Sequence, residues 1–145
     1  MTAWTFDDGG RAAAGYRGDT GDCVTRAIAI ACQMPYREVY DDMHDLLRAA
    51  SPRVLGRNKS RSPRDGVPRK LYEPYLAEHG WLWTPTMFIG SGTTVHLDPD
   101  ELPAGRLITR LSKHLCAVVD GLVHDTHDPS RRGTRAVYGY FTKET

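Results

Sequence analysis

Three side chains far apart in the chain have the types that acyl-transfer chemistry needs: Cys23, His114 and Asp125. Cys23 stands where a helical pattern begins, with Val24, Ala27, Ile28 and Ala31 recurring at helical spacing and Asp22 placed as N-cap. The first turn of a helix exposes unpaired amide groups, and its dipole favours an anion. A cysteine there, with an imidazolium beside it, can ionise well below the ordinary thiol value of about 8.5, and the thiolate is the nucleophile. Cys32 and Cys116 lack that setting and read as core residues.

The partner histidine must come from elsewhere, and the C-terminal half supplies a geometric test. Asp120-Gly121, between Ala117-Val118-Val119 and Leu122-Val123, is a two-residue hairpin signal. That turn sets Val119 opposite Leu122, Cys116 opposite Asp125 and His114 opposite His127. Alternation then puts His114, Cys116, Val118, Val123, Asp125 and His127 on one side and His124 on the other. Asp125 becomes the diagonal neighbour of His114, about 7–8 Å away between α-carbons and close enough for its carboxylate to orient the ring. Asp120 is spent in the turn.

These residues have to be positioned by a helical half followed by a stranded half. The first helix starts at Cys23 and ends before Pro35, which opens a second helix with Val39, Met43, Leu46 and Leu47 on one face and Arg37, Glu38, Asp41 and Asp42 on the other. A third helix runs from Gly66-Val67-Pro68 through Leu71, Tyr75 and Leu76 to a left-handed stop at Gly80, with Pro74 as an irregularity inside it. Strand patterns follow at Trp81–Trp83, Thr94–Leu97, Arg106–Leu111, Leu115–Asp120, Leu122–Thr126 and Ala136–Phe141, with a short one at Trp4–Phe6. Helices first and strands second predict an α+β fold with an antiparallel sheet, in one domain over 1–145, with an irregular lead-in over 1–20 and a basic loop over 53–68.

The chain has 145 residues, 40% of them hydrophobic, enough for a core without covalent staples. Three irregularly spaced cysteines with no Cys-x-x-Cys fit reduced thiols, and no apolar run reaches the length of a membrane span, so the expectation is a cytoplasmic protein with no membrane partner. A net charge of +1 gives no global electrostatic reason to expect nucleic acid or a membrane as the main partner. Locally, Arg53, Arg57, Lys59, Arg61, Arg64, Arg69 and Lys70 stand against a lone Asp65, a stretch that could dock an acidic partner or be a solvated loop.

The run Gly21-Asp22-Cys23-Val24-Thr25-Arg26-Ala27-Ile28-Ala29 resembles the nucleophile helix of papain-like cysteine peptidases, especially the bacteriocin-processing peptidase domains. The segment from His114 through Asp125 resembles their His-bearing strand and the next strand with its Asp, in the same order along the chain. The resemblance implies a papain-like fold, a Cys23-His114-Asp125 triad, a protein or peptide substrate and no cofactor or metal. It extends loosely to short proteins of bacteriophage and bacterial genomes. One departure stands out: the family's oxyanion glutamine, about six residues before the cysteine, is here Arg17, and no Gln or Asn precedes Cys23. The substitutes are the Cys23 amide with Arg17 or Thr20. Hydrolysis, deamidation and amine transfer would all use this set. Two other readings stay open. One is a zinc site from His124, Asp125, His127 and Asp128 with Cys23 or His114. The other is an inert binding or inhibitor module of viral origin, using the basic loop and exposed Trp81 and Trp83.

Overall fold

A computed structural model describes residues 3–18, 20–56, 60–87, 90, 92 and 94–143. The fold is α+β, with four helices and a six-stranded sheet among the described residues. The elements are β1 (Trp4–Phe6), α1 (Cys23–Cys32), α2 (Tyr36–Ala49), α3 (Pro52–Leu55), α4 (Arg69–Glu78), β2 (Trp81–Pro85), β3 (Arg106–Leu111), β4 (His114–Val119), β5 (Leu122–Asp125) and β6 (Gly139–Lys143). No helix of the described residues is long and apolar enough to cross a membrane.

The sheet order is β1-β5-β4-β3-β6-β2. Four of its five pairings are antiparallel, but β1 runs parallel to β5, with Trp4 opposite Val123 and Phe6 opposite Asp125. The sheet is therefore mixed rather than antiparallel. The difference arises because the lead-in enters along the outer edge of β5, and the intervening helices and strands form the crossover that a parallel pair requires.

The first helix lies on the sheet because Val24, Ala27, Ile28 and Ala31 form a continuous apolar stripe, all buried. It stops at Gln33, which adopts a left-handed conformation (φ 56°) and lets the amide of Met34 return to the Ala29 carbonyl. Pro35 then precedes α2, whose Val39, Met43 and Leu47 are fully buried. The helix over Arg69–Glu78 continues through Pro74, and Gly80 (φ 87°) ends it as expected. The main core joins these helices to Ile108, Leu115, Ala117 and Phe141 on one face of the sheet. On the opposite face a smaller cluster gathers Leu107, Leu111, Cys116, Val118 and Val123 under Leu97 and Val137.

Three expectations are corrected. The Thr94–Leu97 segment is not a strand but a strap, held by an isolated bridge between His96 and Ala136 and by the Leu97 amide on the Arg135 carbonyl. Burial of Leu97 beneath the sheet dictates that path. The basic loop over 53–68 is folded in part: Leu55, Pro63 and Val67 are buried, and a short helix and a 3-10 turn at Pro63–Asp65 lie within it. Arg57 and Lys59 lie outside the described residues. Trp81 is 3% exposed and Trp83 packs on Phe141 at 4.8 Å between rings, so neither offers a docking surface; among the described residues the exposed aromatics are Trp4 and Phe6 on the edge strand β1.

Trp83 lies across β6 because Gly139 has no side chain. A Cβ there would fall 2.4 Å from the indole and 2.7 Å from the Thr84 carbonyl. Gly139→Ala is expected to destabilise the fold by about 3 kcal/mol, measured by urea unfolding, and adding Trp83→Ala to it is expected to cost less than the two single changes summed, because the indole clash is then gone.

Candidate active site

His114 is the first residue of β4 and Asp125 the last of β5. The hairpin between them has the expected register, Val119 opposite Leu122 and Val118 opposite Val123, closed by Asp120 (φ 49°) and Gly121 (φ 81°). Two successive left-handed residues match the twist of the strands. Asp120 also ties the turn down, its carboxylate accepting from the Gly105 amide at 2.8 Å. Along most of its length the His114 side of this hairpin faces away from α1, since Cys116, Val118 and Val123 belong to the smaller cluster. The ladder stops at Ala117 opposite His124. Only past that point, at the end of the sheet, do His114 and Asp125 come within reach of the first turn of α1.

There the three residues meet. His114 Nε2 and Asp125 Oδ2 are 2.6 Å apart, and Cys23 lies beside them, sharing its clefts with His114, close enough for the His114 ring and the Leu115 amide to act on its thiol. With Nε2 engaged by the carboxylate, Nδ1 is the nitrogen left for sulfur. Cys23 is half-buried and His114 is 10% exposed at its side chain, while Asp125 is shut away at 1%.

The charges are mutually stabilised. Burial opposes ionisation of Cys23, but the hydrogen bond and charge of His114, the Leu115 amide and the charge of Arg26 outweigh it and hold the thiol below its ordinary value. Burial likewise works against a charged His114, and the hydrogen bonds to Asp125 and Cys23 overcome it, raising the imidazole to about 9. Asp125 is lowered despite burial by His114, the Thr126 amide and Arg26. The other cysteines behave oppositely: burial pushes Cys32 up to about 11 and Cys116 up to about 12.

The residue that ties the set to the helix went unassigned in the sequence. Arg26, 7% exposed on α1, donates from one guanidinium nitrogen to Asp125 Oδ1 at 2.9 Å and from another to Asp22 Oδ1 at 2.5 Å. Asp22 is fully buried and also accepts from the Tyr36 hydroxyl of α2. Its carboxylate makes no cap bond, so the expected side-chain N-cap is corrected: Asp22 occupies the cap position but spends its oxygens on Arg26 and Tyr36, because a buried guanidinium is the stronger partner. Its backbone carbonyl still accepts the Arg26 amide at 3.0 Å. The signal that could have found Arg26 is its place four residues after Asp22, on the apolar side of a helix, where a cation needs a carboxylate.

The segment before Cys23 is pinned by the basic loop. The Arg64 guanidinium donates to the Arg17 carbonyl at 2.9 Å, and the Arg64 carbonyl accepts the Gly21 amide at 2.6 Å. Arg17 is exposed and takes part through that carbonyl, which also accepts from Arg11. Two clefts share Cys23, Lys113 and His114, of ≈ 320 and ≈ 280 Å³. Thr20 lines the smaller, its hydroxyl donating to the Arg64 carbonyl at 3.4 Å, whereas both clefts are lined without Arg17. His124 turns to Asp7 at 3.0 Å, Asp128 caps its own turn by accepting from Ser130, and exposed His127 stacks near His114 at 5.2 Å between rings.

Arg26→Met leaves two buried carboxylates without their shared cation, and a loss of about 3–5 kcal/mol in unfolding free energy is expected; Arg26→Lys, with one ammonium in place of a two-pronged guanidinium, is expected to recover only part of it. Comparison of the chain with protein-family models, with curated proteins and with solved structures finds no match.

Proposed function

We propose that this protein is a papain-like cysteine hydrolase or acyl transferase acting on a peptide, isopeptide or amide bond. The observation that carries the reading is the convergence of Cys23, His114 and Asp125 at the tip of α1, with His114 Nε2 2.6 Å from Asp125 Oδ2 and Cys23 sharing two clefts with His114; the lowered thiol and raised imidazole agree with it. That combination favours a thiolate–imidazolium pair over two neutral groups, the state in which sulfur is nucleophilic and the ring holds a proton for the leaving group. The Cys23 thiolate attacks the carbonyl carbon and forms a thioester. His114 passes its proton to the leaving amine, then takes one from water or an incoming amine as that nucleophile breaks the thioester and releases the thiolate, which restores the starting ion pair. Asp125 holds the ring in the tautomer that places Nδ1 toward sulfur. The oxyanion donors of this reading are the Cys23 backbone amide, at the first position of α1, and the Thr20 hydroxyl once it leaves the Arg64 carbonyl, with Arg17, which lines neither cleft, as a further candidate. The order Cys, His, Asp and the helix-tip cysteine support the papain-like assignment.

A zinc-binding reading rests on a different observation: ligand atoms of His114, Asp125 and His127 lie within 4.8 Å of one another. Against it, Asp125 Oδ1 is occupied by Arg26 and the Thr126 amide, and a cation would sit beside that guanidinium. An inert binding module would leave the lowered thiol without a use.

Iodoacetamide labelling of Cys23, followed by mass spectrometry, separates these readings. Below about pH 8.5 labelling should outpace that of an ordinary thiol because the thiol is lowered, and His114→Ala should slow it by about threefold or more. Hydrolytic turnover, once a substrate is in hand, should fall as pH rises through about 9, where His114 loses its proton. Labelling as slow as that of an ordinary thiol and indifferent to His114 would sink the hydrolase. Chelator treatment is expected to leave the labelling rate unaltered; stoichiometric zinc in the purified protein, lost in His127→Ala, would establish the metal site instead.

A further inference from the structure

The larger cleft at Cys23 has an apolar floor of Val24, Val67, Tyr72 and Leu111 and, besides the Cys23–His114 pair, four charged residues on its walls: Asp65, Arg69, Arg110 and Lys113. Their partners differ. Arg69 is neutralised by Glu73 at 2.7 Å and lies 4.3 Å over the Trp83 ring. Asp65 accepts from the Ser60 hydroxyl at 2.7 Å. Arg110 has the Tyr72 hydroxyl and the Tyr138 ring, 5.5 Å away, but no carboxylate among the described residues. The Lys113 ammonium is exposed and has no ion pair among them either. Arg110 and Lys113 are thus two cations of the cleft with no carboxylate of their own among the described residues.

Lys113 is also the second residue of the two-residue turn joining β3 to β4, and its φ is 56°. Glycine or asparagine ordinarily fills such a left-handed position, and a lysine there costs roughly 1 kcal/mol. The strained residue immediately precedes His114 and lines both clefts that contain Cys23. Backbone strain kept beside reactive groups points to a use for the side chain it carries. A cleft walled by low-dielectric groups focuses the field of such charges on whatever enters it.

We propose that this cleft receives a carboxylate of the substrate close to the bond that Cys23 attacks, with Lys113 and Arg110 as the residues that select it. On the peptide or amide substrate of the hydrolase reading, the anion within reach of the attacked bond is a carboxylate. The carboxylate belongs to an acidic side chain or to a chain terminus, two sources of one chemistry. The proposal rests on the hydrolase reading for its meaning but is tested apart from it.

The test compares alkylation of Cys23 in the whole chain by anionic iodoacetate and by neutral iodoacetamide, each variant being normalised to its own iodoacetamide rate. Attraction from His114 is common to all and cancels. At low ionic strength, Lys113→Gln should lower the iodoacetate-to-iodoacetamide ratio roughly three- to tenfold, Lys113→Arg should preserve it, and added Arg110→Gln should lower it further. Salt at 1 M should compress these differences. A ratio that Lys113→Gln and Arg110→Gln leave unmoved overturns the proposal. Labelling that ignores His114→Ala sinks the hydrolase alone, since an unactivated thiol still reports the local field. To separate the sources, two short peptides are used as protectants against iodoacetamide: one with an internal glutamate and an amidated end, the other neutral with a free C-terminal carboxylate. Protection by either beyond that of a neutral amidated peptide identifies the source, and protection by neither counts against the cleft as a carboxylate site.

Discussion

A guanidinium held between two buried carboxylates is the constraint on which the rest of the structure turns. Arg26 joins Asp22, at the entrance of α1, to Asp125, at the exit of β5, and so fixes the helix tip to the end of the sheet. In a buried setting each of these three charges would be costly alone, and together they satisfy one another. The line continues outward at both ends, to the Tyr36 hydroxyl on α2 and to His114 and Cys23 at the cleft. Any movement of the helix that loosened Cys23 from His114 would also expose or unpair a buried charge. The geometry at sulfur is thereby coupled to the stability of the fold.

The same arrangement explains why three cysteines in one small chain differ so widely. Cys116 is walled in by apolar side chains beneath the sheet, where Thr109 is its polar neighbour, and Cys32 lies at the far end of α1 from the imidazole. For both, burial outweighs what the neighbours offer and the neutral thiol wins. Cys23 is half-buried and also meets a desolvation cost, but it has a ring, an amide and a nearby cation to hold its charge. Position at the start rather than the end of one helix separates Cys23 from Cys32, nine residues later in the sequence.

The basic stretch between Arg53 and Lys70 changes meaning once its partners are seen. Arg61 donates to the Leu47, Arg48 and Ala50 carbonyls at the end of α2, where a cation complements the unpaired carbonyls and the dipole. Arg64 holds the strand of chain that leads into Cys23, and Arg69 is paired and stacked. These charges serve the fold. The cations without a carboxylate partner at the cleft, Arg110 and Lys113, come from the sheet and its turn, outside the run that composition makes conspicuous.

Periodicity and turn chemistry are local, and what they govern could be read from the residues alone: a helix starting at Cys23, its end before Pro35, the buried face of α2, the stop at Gly80, and the hairpin register that puts His114 and Asp125 on one side. That register depends only on a two-residue turn and on alternation, so it places the pair without knowledge of the remainder of the chain. Tertiary structure alone decided three other matters. The parallel seat of β1 against β5 depends on a contact across more than a hundred residues that no local pattern encodes. The diversion of Asp22 from capping to ion pairing depends on Arg26 being buried against Asp125, 99 residues away. And whether sulfur meets imidazole depends on where α1 lies on the sheet, because a helix tip activates a thiol only when packing delivers the opposite charge to it.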